Sequence, residues 1–146
     1  MKKIIILFFG LLVFLIYPSL VSAQNIIDVT WVEQEKNIKC NQKFMLTLMS
    51  GANHEVNSTL VSYGEYSCVG NQDGIYTYNC KTGALKIKFN YGETIYYRVK
   101  VINANKIQIY QRGGGVNFYA RQGSKEDWYS KIFDRNLERH ERTHPQ

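Results

Sequence analysis

Eight times between Ile26 and Arg121 the chain repeats one pattern: a short run alternating apolar and polar residues, then residues that favour turns. The runs are IIDVTWV (26–32), FMLTLMS (44–50), TLVSYGEYSCV (59–69), IYTYNC (75–80), ALKIKF (84–89), TIYYRVKVI (94–102), KIQIYQ (106–111) and VNFYAR (116–121). Isoleucine, valine, tyrosine, phenylalanine and threonine fill them, residues that suit a pleated, half-buried surface. The segments between them, such as GNQDG, KTG, NYGE, NAN and RGGG, carry glycines and asparagines that supply the positive φ of tight hairpins. A period of two this persistent restricts the chain to antiparallel sheet.

Eight short strands with no crossover helix leave two long exposed edges unless the sheet closes on itself. The expected fold is therefore all-β, an eight-stranded antiparallel up-and-down barrel whose interior holds side chains or one small ligand. A two-sheet sandwich usually needs longer connections than these. Alternation also assigns faces. Leu85, Ile87 and Phe89 oppose Lys86 and Lys88; Ile95, Tyr97, Val99 and Val101 oppose Arg98 and Lys100; Ile107 and Ile109 oppose Lys106 and Gln108. Between Lys81 and Arg112 seven basic residues stand against one acid, Glu93. This stretch reads as the solvated outer face of three hairpinned strands, or as a surface for an anionic partner.

After Gly123 the period changes. Tyr129, Ile132, Phe133, Asn136, Leu137 and His140 share one helical face, and Ser124 with Asp127 resembles a helix start. The expectation is a C-terminal amphipathic helix laid on the outside of the barrel. At the other end Lys2 and Lys3 precede an uncharged run from Ile4 to Ile16, then small residues up to Ala23. That is the pattern of a secretory signal peptide, with cleavage expected after Ala23 and export to the periplasm or the exterior. The run is too short to span a bilayer, so no transmembrane segment is expected after cleavage. The organisation is 1–23 signal peptide, 24–123 barrel and 124–146 helix and tail. Of the cysteines Cys40, Cys68 and Cys80, an oxidising compartment favours one disulfide. Cys68 with Cys80, read as lying on adjacent strands, is the expected pair.

Trp31 on the first strand, the eight-strand meander, Tyr119 and Arg121 on the last strand and the following helix together resemble the lipocalin-like (calycin) families, and in particular small exported bacterial domains of that type. The first strand reads Asp28-Val29-Thr30-Trp31, so valine stands where lipocalins carry the glycine of Gly-x-Trp. The resemblance implies that Trp31 packs against Arg121 to close the barrel, a cation–π contact of ~1 kcal/mol. It also implies a cavity for a small hydrophobic ligand lined by Phe44, Leu46, Tyr66, Tyr97, Val99, Ile109 and Phe118.

One enzymatic motif remains. HERTH, residues 140–144, has the two histidines and adjacent glutamate of a zinc peptidase helix. A catalytic site needs a third ligand and a cleft, and only Pro145 and Gln146 follow, so His140 and His144 read as a solvated helix tail rather than a metal site. No nucleophile elbow occurs, and Gly113–Gly115 joins two strands instead of opening a helix over a phosphate. The chain is expected to be no enzyme and to need no cofactor. Its expected function is binding, either of a small hydrophobic ligand inside the barrel or, with the barrel filled, of a protein or anionic surface at the basic face. Nucleic acid is not expected as a partner.

Overall fold

A computed structural model describes residues 26–34, 41–64 and 68–145. The signal peptide, Cys40, Tyr66 and the Cys68 side chain lie outside the described residues. Eight strands follow one another: β1 Val29–Glu33, β2 Gln42–Leu48, β3 Glu55–Ser62, β4 Cys68–Asn79, β5 Ala84–Phe89, β6 Thr94–Asn103, β7 Lys106–Gln111 and β8 Val116–Arg121. Each pairs antiparallel with the next, and β8 returns to β1, closing the barrel without an edge-to-edge gap in the strand order. The helix α1, Trp128–Thr143, ends the fold.

Alternation builds the interior as expected. In β5, Leu85, Ile87 and Phe89 are buried while Lys86 and Lys88 are exposed. Every strand contributes at least one buried side chain to a single internal cluster, from Trp31 in β1 to Tyr119 in β8. Following paired residues around the barrel from Trp31 through Leu46, Ser58 and Gln72, and extending each register through the later strands, returns to β1 about twelve residues from the start. That exceeds the stagger of one residue per strand that gives a tilt of ~36°, so these strands lean more steeply and enclose a wider space. Side chains from all eight strands pack into it.

The connection between β3 and β4 departs from the sequence expectation. GNQDG is part of β4, and Glu55–Asn57 belongs to β3 instead of the preceding turn. Polar residues sit here because they face outward and bond across the pair: Asn57 Nδ2 donates to Asp73 Oδ1 (2.7 Å) and Thr59 Oγ1 to Asn71 Oδ1 (2.9 Å). Gly74 lies inside the strand because β5 ends against it; a Cβ there would stand 2.4 Å from the Lys88 carbonyl oxygen. One consequence corrects the disulfide. Cys68 and Cys80 stand at opposite ends of β4, ~35–40 Å apart at the usual rise of a strand, far beyond disulfide reach. Cys80 is an exposed free thiol.

The helix docks outside. Tyr129 and Phe133 are buried against Val32 of β1, with Met45, Val61, Tyr63, Ile132 and Leu137 around them. Burying two aromatic rings contributes ~2–3 kcal/mol each. Asp127 caps the helix: its buried carboxylate accepts from Ser130 N (3.2 Å), Gln34 Nε2 (3.2 Å) and Gly123 N (2.9 Å). Lys43 lies over the Phe133 ring and reaches Asp134 at 2.6 Å. Among the described residues no helix is long and apolar enough to cross a membrane.

Candidate functional site

The residues expected to line a ligand cavity divide into three groups. Leu46, Val99 and Ile109 are buried in the internal cluster, and Phe44 and Tyr97 pack against it half-buried. Phe44 meets Tyr119 edge-on, their ring centres 6.4 Å apart. Phe118 does not face inward. Register places Tyr119 opposite Glu33 and Arg121 opposite Trp31, so these two share the inner side and Phe118 falls on the outer one, where the Lys106 ammonium covers its ring at 5.2 Å. Sequence reading placed Tyr119 on the last strand but not in the cavity lining, where its hydroxyl lies 3.4 Å from Glu33 Oε2. Burial, and then the Glu33 carboxylate, push its phenol well above the ordinary value of 10. The same two causes raise Tyr97. Counting two residues on from Trp31 to Glu33 would have placed this polar pair inside.

Trp31 is fully buried and stands directly opposite Arg121 in the β1–β8 register. The Arg121 side chain is exposed, however, and the indole N–H is satisfied by the Ile26 carbonyl at 3.0 Å. Closure at this seam rests on the register and on the buried indole.

Among the described residues, one space borders the inner mouth of the barrel. At the mouth beside the β1–β2 connection, Glu33, Gln42, Phe44, Leu60 and Tyr129 border a cavity of about 230 Å³, below the ~300 Å³ at which small-molecule sites begin. A larger concavity, about 700 Å³, opens at the other end of the barrel, where inner-facing Tyr78, Val99 and Val101 meet outer-facing residues. It runs between the β4–β5 turn and β6. Lys81, Arg98 and Lys100 border it together with Tyr78, Cys80, Val99, Val101 and Tyr110, and no carboxylate lines it. The three cations form no ion pair among the described residues. No family model, curated protein or solved structure matches this chain.

The groove exists because β5 is short. Its six residues lie between the twelve of β4 and the ten of β6. Gly83 makes the turn with φ +72, and a Cβ there would stand 2.2 Å from the Val99 carbonyl oxygen. The turn thus presses onto β6 at Val99, and β6 continues past it.

The histidines of HERTH stack on each other. Their ring centres are 4.5 Å apart, nearly parallel at 22°, and His140 also rests on Tyr63 at 5.4 Å. His144 Nδ1 lies 3.3 Å from the His140 carbonyl oxygen and 2.9 Å from the Thr143 hydroxyl. Among the described residues no three metal-ligating side chains converge.

Proposed function

We propose that this protein is a non-enzymatic binding module with a filled barrel, and that it docks an anionic partner in the groove between the β4–β5 turn and β6. One contrast carries this reading. The groove gathers Lys81, Arg98 and Lys100 with no acid around a space three times that left at the inner mouth. Cations held together without counter-charges raise the local concentration of anions and speed their encounter. The lysine-led leader supports export, so the partner would be met in the envelope or outside the cell. The β1–β8 closure at Trp31 and Arg121 supports the lipocalin-like resemblance as a proposal about descent.

The interior-ligand reading has one observation in its favour, the wide barrel that a stagger of about twelve residues produces. A single pair of titrations separates the two. Fluorescent polyglutamate should bind, weaken steeply between about 50 and 200 mM salt, and be lost in the Arg98→Gln/Lys100→Gln double variant. A fluorescent fatty acid should not saturate. One-to-one fatty-acid binding that ignores both salt and the double variant, with no polyglutamate binding, would move the function into the barrel.

A further inference from the structure

The groove has a second property besides its charge. On the far side of Val99, strand β6 loses its neighbour. The last rung is the Val99 N–H donating to the Gly83 carbonyl at 2.8 Å. Peptide groups of successive strand residues point alternately to the two edges. Tyr96 turns its carbonyl toward β7, where it accepts from Arg112 N, so the even-numbered residues serve that edge and Val99 and Val101 serve the other. The N–H and C=O of Val101 therefore open into the groove, where β5 has already turned away. On its other edge β6 stays in register with β7 through Val101, then shifts by one residue before the pair at Asn103.

We infer that this free edge of β6 accepts an extended acidic peptide as an added strand, in which acids alternate with apolar residues. The inference rests on the anionic-groove reading and names its partner. An unpaired edge is a template for strand addition: main-chain bonds supply affinity, and side chains at alternate positions supply specificity. Here the two faces of the template differ. Arg98 and Lys100 lie on the outer face, two residues and thus ~7 Å apart, with Lys81 across the groove. Val99 and Val101 lie on the inner face beside Tyr78. A strand laid along β6 turns every second side chain toward the cations and the others toward the valines. An acid–apolar–acid sequence satisfies both faces. A second copy of this edge would set Arg98 and Lys100 against their own kind, so the partner is a different polypeptide.

Residues that share a face also share an edge. The valines of acetyl-Glu-Val-Glu-Val-Glu-amide would turn their peptide groups to Val101, and its glutamates would turn theirs to solvent. This peptide should bind at low salt and slow hydrogen exchange at the Val101 amide, read by NMR. N-methylation of its two valines should weaken binding about tenfold or more through loss of main-chain bonds, whereas N-methylation of two of its glutamates should leave affinity nearly unchanged. A block peptide of the same composition, Glu-Glu-Glu-Val-Val, should bind more weakly than the alternating one. If all four peptides bind alike and the Val101 amide is unmoved, strand addition is wrong while the anionic groove stands. If none binds and polyglutamate also fails, both readings fall together.

Discussion

Two glycines two and six residues from the Cys68 end of β4, Gly70 and Gly74, offer a matched test of the fold, because they share a strand and an inner-facing parity but not an environment. Gly74 is buried where β5 ends, and a Cβ there meets Lys88 O at 2.4 Å and Phe89 Cα at 2.8 Å. Both are backbone atoms, so no rotamer change relieves the contact. Overpacking of this kind costs ~2–3 kcal/mol, and the entropy that alanine removes from the unfolded chain returns ~0.5–1 kcal/mol. Gly74→Ala should therefore destabilise by about 1–2.5 kcal/mol. A Cβ on Gly70 meets nothing within 4 Å, so Gly70→Ala should stabilise by ~0.5–1 kcal/mol. Urea unfolding followed by tryptophan fluorescence measures both, and a gap of roughly 1.5–3.5 kcal/mol with opposite signs is expected. If GNQDG were a hairpin turn that required both glycines, the two substitutions would be unfavourable together. Equal signs would thus refute the twelve-residue strand and with it the separation of Cys68 from Cys80.

Three further substitutions probe the helix and the interior. Phe133→Ala removes a ring buried between Val32, Tyr63 and Lys43 and should cost ~3–5 kcal/mol in the same assay. Asp127→Ala removes the cap and leaves Gln34 Nε2 and Gly123 N without their buried acceptor, so a loss of ~2–3 kcal/mol is expected. Tyr119 keeps its proton in the folded barrel at pH values where the unfolded chain has lost it. Its contribution to stability is complete below pH 10 and is lost as pH rises through the higher folded value. Tyr119→Phe should flatten the alkaline limb of the stability curve by up to about 1.4 kcal/mol per pH unit, one proton's worth; an unchanged limb would place the phenol in solvent.

The barrel was legible because its central hairpins obey one rule at every position. Leu85 to Phe89 and Ile95 to Val101 alternate without interruption, and their faces follow directly. The helix was legible for the same reason, its Tyr129, Phe133 and Leu137 stripe having nowhere to pack but a sheet. Reading failed where apolarity stops reporting direction. In β8 both sides are covered, the inner by the core and the outer by Lys106 over Phe118, so Phe118 is no more inward by composition than Tyr119. In β4 the polar run Asn71-Gln72-Asp73 imitates a turn, and only its cross-strand partners Asn57 and Thr59 reveal a strand. The groove was half legible. Its cations stood out as a local excess, but their meeting depends on the length of β5, which alternation does not specify.

Whether those cations are a working surface or merely a wet one has a consequence for stability. A solvated face mixes signs, and its lysines gain a little from neighbouring acids, each exposed pair contributing ~0–1 kcal/mol. Arg98 and Lys100 have no such partner among the described residues, and they stand ~7 Å apart on one face, where like charges repel weakly through water. Neutralising them as Arg98→Gln/Lys100→Gln should therefore leave unfolding stability within ~0.5 kcal/mol of the parent, or slightly above it at low salt, while polyglutamate binding is lost. A fold that gains nothing from clustering these charges, and a site that needs them, predict that combination together. A double variant that loses more than about 1 kcal/mol of stability would show the pair to be structural, and the groove would lose the contrast on which its function was argued.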